Sequence, residues 1–121
     1  MKRRLALALA ATALVGLTIP SVASAHNISV FPRYGETGDN FLFRGKAWQA
    51  FKRVRWYYDQ RNDGEFEQTG RFFTNGRGRF LFRWRGEDVF DTHRMCFRQK
   101  DTRFSPDRYF FKCKRFTLLP D

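Results

Sequence analysis

Aromatic and polar residues alternate along most of this chain. The runs "NFLFRGKAW" (Asn40 to Trp48), "RVRWYYD" (Arg53 to Asp59), "GRFLFRW" (Gly78 to Trp84) and "THRMCFRQ" (Thr92 to Gln99) place an apolar side chain at nearly every second position. Successive side chains of an extended strand point to opposite faces, so this pattern builds strands with one buried face and one solvated face. Turn chemistry separates the runs, in "YGETGD" (Tyr34 to Asp39), "QRNDGE" (Gln60 to Glu65), "TNGRG" (Thr74 to Gly78), "RGED" (Arg85 to Asp88) and "FSPD" (Phe104 to Asp107). Asp63-Gly64 and Asn75-Gly76 suit hairpin turns, because these residue types enter the left-handed region at little cost. Beyond Ala25, no window holds an apolar stripe at helical spacing long enough for a helix.

The expected architecture is all-β, an antiparallel β-sandwich of about seven strands in one domain. The strands fall at Ile28–Phe31, Asn40–Gly45, Val54–Tyr58, Phe66–Phe73, Arg79–Trp84, Thr92–Gln99 and Tyr109–Thr117. Alternation turns Phe41, Phe43, Val54, Trp56, Tyr58, Phe80, Phe82, Trp84, Met95 and Phe97 inward. Burying these side chains at about 1.5–3 kcal/mol each is of the order that a domain this small needs against its chain entropy.

The segment from Met1 to Ala25 reads as a secretory leader. Lys2, Arg3 and Arg4 precede an apolar run from Leu5 to Ile19, and Ala23-Ser24-Ala25 forms a small-residue cleavage site. The run is short for a membrane span, and His26 and Asn27 follow it as a polar break. Cleavage after Ala25 leaves a secreted chain over 26–121, with no stable membrane insertion expected afterwards.

The formal charge of +11 becomes +8 without the leader, and arginines outnumber lysines 15 to 5 in the remainder. Guanidinium forks suit carboxylate and phosphate, although a GC-rich genome also favours arginine codons. A chain this basic is drawn to polyanions such as cell-wall polymers, acidic glycans or, less favoured here, nucleic acid.

"VFPRYGETGDNFLFRGKAW" (Val30 to Trp48), followed by "VRWYYD" (Val54 to Asp59), resembles the opening of bacterial immunoglobulin-like modules, with a turn, an aromatic second strand and a tryptophan-bearing third strand. "TNGRGRFLF" (Thr74 to Phe82) and "DTHRMCF" (Asp91 to Phe97) are similar to a later turn-and-strand and to the penultimate strand of the same modules. The resemblance implies an extracellular β-sandwich of the kind used for adhesion, display or glycan contact. Cys96 and Cys113 depart from it, because they do not sit where antibody domains place their inter-sheet disulfide. No functional residue is carried over from the resemblance.

Cys96 and Cys113, the two cysteines of a secreted chain, read as one disulfide. With Met95 and Phe97 inward, Cys96 points outward between Arg94 and Arg98, and Cys113 lies on the same face beside Phe111. Lys112 and Lys114 then point inward unless a β-bulge near Cys113 shifts them, and such a bulge is expected. There is no C-x-x-C for redox chemistry, and further ligands for a metal are lacking. "DQRNDGEFEQTG" (Asp59 to Gly70) fails as a calcium loop, with Arg61 and Gly70 where oxygen ligands belong. An irregular cation site at Asp59, Asp63 and Glu65 is a weaker reading than a plain turn.

No catalytic residue and no cofactor is expected. A secreted nuclease would have to use His93 as its acid, with Glu65, Glu67 and Arg98 around it. The alternation instead puts His93 with Met95 and Phe97 towards the core, and Ser105 has no triad partners. What remains is a surface. Arg53, Arg55 and Tyr57 share an outer face with Arg94, Arg98, Tyr109 and Phe111 if their strands are neighbours, and forks beside rings make a platform for acidic sugars or nucleic acid. The plainer reading is a solvated face whose arginine stems cover the rings. The favoured function is therefore a small secreted module binding an anionic partner, with a His93 nuclease or an effector or inhibitor that binds another protein as alternatives.

Overall fold

The computed structural model describes residues 25–86, 91–104 and 106–120, and across them the alternation becomes eight strands and no helix. The expected leader lies, up to residue 24, outside the described residues, as do residues 87–90 and Ser105. The strands are β1 (Asn27–Phe31), β2 (Tyr34–Glu36), β3 (Asn40–Lys46), β4 (Arg53–Asp59), β5 (Gln68–Phe73), β6 (Phe80–Arg85), β7 (Thr92–Asp101) and β8 (Arg108–Leu119). They form two sheets, a three-stranded one in the order β1-β3-β6 and a five-stranded one in the order β2-β8-β7-β4-β5. All pairings are antiparallel except that of β2 with β8.

The core fills the space between the sheets with rings. Phe41, Phe43, Val54, Tyr58, Met95 and Phe97 are buried, and Trp56, Phe80, Phe82 and Trp84 pack against them. Every side chain that alternation turns inward is therefore in or against the core. Phe43 meets Phe82, Phe97 and Phe116 with ring centroids 5.4–6.2 Å apart, tilted or edge-on, as aromatic quadrupoles prefer. Gly45 faces Phe80 across β3 and β6, and a Cβ at that position would overlap the Phe80 ring. Trp48, at the end of the first alternating run, and Phe116 and Leu118 of β8 also lie in the core.

Three expectations change. "YGETGD" is not wholly turn, because Tyr34–Glu36 pairs in parallel with Thr117–Leu119 as β2. A strand this short has no period to read, and only its distant partner defines it. The strand expected from Phe66 begins at Gln68, since Glu67 N–H closes onto Tyr58 O at 2.8 Å and holds the preceding residues in the loop. The bulge expected near Cys113 is absent, for the β7–β8 register runs without a break from Thr92↔Thr117 to Asp101↔Arg108. Lys112 and Lys114 do share a side with Phe97 and Met95. They remain exposed, on a stretch of β8 that pairs with β7 alone among the described residues.

His26 closes one end of the core. It is 2% exposed, stacks on Phe110 at 4.0 Å between centroids, and meets Trp48 edge-on at 5.0 Å. Its Nε2 lies 2.7 Å from Asp101 Oδ2, and Arg103 grips the same carboxylate through Nε and Nη2. Burial lowers the pKa of His26, an effect that the hydrogen bond and charge of Asp101 offset only in part. Burial would raise the pKa of Asp101, but hydrogen bonds and charge from Arg103, together with the hydrogen bond from His26, hold it below the usual carboxylate range.

Candidate anion-binding face

The outer face of the five-stranded sheet is set by register, because directly opposed residues on neighbouring strands project to the same side. One row crosses four strands as Arg71, Arg55, Arg98 and Phe111. The next holds Thr69, Tyr57, Cys96 and Cys113, and beyond it lie Asp59, Arg94 and Arg115. Phe73 faces Arg53, and Lys100 faces Tyr109, on the other side of the arginine row. All seven residues expected on this face, Arg53, Arg55, Tyr57, Arg94, Arg98, Tyr109 and Phe111, are thus brought onto it.

Adjacent strands lie about 4.8 Å apart, so three guanidinium-bearing residues stand side by side across β5, β4 and β7. Like charges directly opposed across a pair are destabilising. Among the described residues, no carboxylate forms an ion pair with Arg53, Arg55, Arg71 or Arg98. Arg98 is held in place all the same. Its guanidinium stands over the Tyr109 ring, 4.1 Å from the centroid, and its Nη1 donates to the Tyr57 hydroxyl at 3.2 Å. Tyr57, Phe66 and Phe111 form a ring cluster beside it, with centroids 5.2–6.1 Å apart.

A cleft of about 360 Å³ opens over this region, lined by the cations Lys52, Arg53, Arg55, Arg98 and Lys100 and by the rings of Phe51, Phe73 and Tyr109. The rings are 77%, 65% and 59% exposed. Phe51 projects from the β3–β4 connection at φ 52°, a left-handed conformation that a phenylalanine rarely adopts. Sequence reasoning missed Phe51, Lys52, Arg71, Phe73 and Lys100. Phe73, Arg71 and Lys100 carried a signal in the alternation of β5 and β7; Phe51 and Lys52 lie in a connection, where no period exists.

Arg94 has a different role from the other arginines. Its Nη2 pairs with the fully buried Asp59 at 3.1 Å, and its guanidinium lies 5.7 Å from the Phe66 centroid. Burial would raise the Asp59 pKa, but N–H donors from Gly64 (2.8 Å) and Asp63 (3.1 Å), with the charge of Arg94, hold it low. Asp59 therefore closes the turn after β4. Among the described residues, no group of three or more potential ligands could hold a metal ion.

The disulfide joins Cys96 and Cys113 directly across β7 and β8, with Cα atoms 4.0 Å apart. It lies on the outer side of the sheet as expected, but Cys96 is fully buried between Tyr57, Arg94 and Arg98. His93 is an interior residue, 2% exposed, with Nδ1 2.9 Å from the Tyr58 hydroxyl and its ring stacked near Phe116. It projects to the opposite side of β7 from Arg98.

No family model and no curated protein matches this sequence. Among solved structures, macromomycin is similar, with a TM-score of 0.51 over 78% of this chain and 99% of its own, at 6% sequence identity. The two share an all-β fold. At that identity the likeness extends to the fold alone, and it transfers no site. Among the described residues, no helix is long and apolar enough to cross a membrane.

Proposed function

We propose that this protein is a small secreted module of immunoglobulin-like architecture that binds an anionic extracellular polymer, an acidic glycan or cell-wall polyanion, on the outer face of its five-stranded sheet. One observation carries the reading. Arg71, Arg55 and Arg98 stand in one row without carboxylate partners among the described residues, and exposed rings flank them. Clustered like charge raises the energy of the free protein, and a bound polyanion relieves it. The rings offer flat apolar faces next to the charges, so the face suits a ligand that is both charged and planar in part. The displayed Phe51, in a conformation that opposes its own preference, supports the same reading. The immunoglobulin-like assignment is supported by the path of the N-terminal segment, whose β1 pairs with β3 in one sheet while β2 pairs in parallel with β8 in the other.

Basicity alone predicts some retention on any polyanion, and Arg44, Arg77 and Arg83 give the rest of the surface positive charge too. The test therefore compares two variants of equal charge. On a heparin column, Arg53→Ser/Arg55→Ser/Arg98→Ser is expected to elute at much lower salt than Arg44→Ser/Arg77→Ser/Arg83→Ser. Equal elution of the two would remove the face as the site.

A further inference from the structure

The outer edge of β8 upstream of Thr117 has no backbone partner among the described residues. β2 covers only Thr117–Leu119, while β7 holds the opposite side of the strand along Arg108 to Thr117. Thr117 N–H points outward, donating to Arg33 O at 2.8 Å. Alternation along an extended strand turns the N–H and C=O groups of Arg115, Cys113 and Phe111 the same way. Beside this edge lies a cleft of about 560 Å³, lined by Ser29 and Val30 of β1, by Arg33 of the crossing segment, by Cys113, Lys114 and Arg115, and by Arg94, which is paired with Asp59. Because β1 belongs to the other sheet, the cleft has a wall as well as an edge. No described carboxylate pairs with Arg33, Lys114 or Arg115.

We propose that this edge is a second binding site, one that takes an extended acidic segment of a partner protein as an added strand in line with β2. Backbone donors and acceptors of an open edge supply the attachment, and flanking side chains select the partner. The charge decides which partner. Lysine and arginine on an edge repel basic strands and lose solvation against neutral ones, and so protect against self-association. A second copy of this chain, itself strongly basic, would set Lys114 and Arg115 against the same residues. An acidic strand turns the same charges into attraction and specificity.

The probe is a short synthetic peptide alternating glutamate and valine, used with a second peptide of the same sequence carrying N-methyl groups on alternate residues. Amide exchange of the full folded protein is followed by NMR. The unmodified peptide is expected to slow exchange at Phe111, Cys113 and Arg115 at least about tenfold, and the N-methyl peptide to bind at least about tenfold more weakly at equal charge. Arg33→Ser/Lys114→Ser/Arg115→Ser is expected to lose the peptide, while Arg53→Ser/Arg55→Ser/Arg98→Ser keeps it. Equal binding of the two peptides, or binding without protection of those amides, would overturn edge pairing. Because the peptides differ only in the ligand, that result holds whatever a protein variant does to folding.

Discussion

Arg98 stands over the Tyr109 ring at 4.1 Å from its centroid, so the guanidinium is fixed by a neighbour that does not neutralise it. A cation–π contact orients the charge, worth about 0.5–1 kcal/mol at an exposed site, and leaves the N–H donors other than the one bonded to Tyr57 available to a ligand. Arg98→Lys keeps the charge but loses the planar stack and the bond to the Tyr57 hydroxyl. We expect several-fold weaker heparin affinity at constant salt, measured by calorimetry, with the unfolding midpoint almost unchanged. Affinity equal to wild type would mean that charge alone, without orientation, governs binding.

The Asp59–Arg94 pair is structural. Arg94→Met leaves a buried carboxylate with only its turn N–H donors, at a cost of about 2–3 kcal/mol in urea unfolding at pH 7. Asp59 has a lowered folded pKa, so its contribution is present above the unfolded value and is lost as pH falls through the folded one. The gap between wild type and Arg94→Met should therefore close in strong acid. A gap that persists unchanged below both values would contradict the pairing.

His26 gives a second pH dependence, at higher pH. Its folded pKa is lowered, so below about pH 6.5 the unfolded chain takes up a proton that the folded one resists. Stability is then full above that pH and falls as pH drops towards the folded pKa. His26→Gln keeps an N–H donor for Asp101 without titrating, and its unfolding midpoint should be flatter than wild type between about pH 7.5 and 5. Identical slopes for the two proteins would show that another group is responsible.

The disulfide links cysteines at a sequence separation of 17, and its loss should cost about 3 kcal/mol through the unfolded state. Cys96→Ser/Cys113→Ser is expected to melt at lower temperature yet to bind heparin as wild type does well below its midpoint. Mass spectrometry with and without reductant checks the bond itself.

The inward set and the membership of the outer face were legible because both follow from period two, which a reader can count. Trp56 and Tyr57 illustrate this, one packed on Phe82 and the other bonded to Arg98. What alternation cannot supply is pairing at a distance. β2 is visible only through its partners Thr117, Leu118 and Leu119, which lie near the other end of the chain from Tyr34. Arg94 and Asp101, the partners of Asp59 and His26, are also remote in sequence, and nothing local marks them. The missing bulge has the same origin, since the unbroken β7–β8 register that sets Lys112 and Lys114 on the side of Phe97 and Met95 is a property of the assembled sheet.

The salt dependence of heparin affinity tests the central claim most directly. Each cation that contacts a linear polyanion releases counterions, so the slope of log affinity against log salt counts contacts. Arg53→Ser/Arg55→Ser/Arg98→Ser should lower that slope by about two to three, and Arg44→Ser/Arg77→Ser/Arg83→Ser should leave it near the wild-type value. Equal slopes for the two variants would mean that the polyanion does not bind the arginine row.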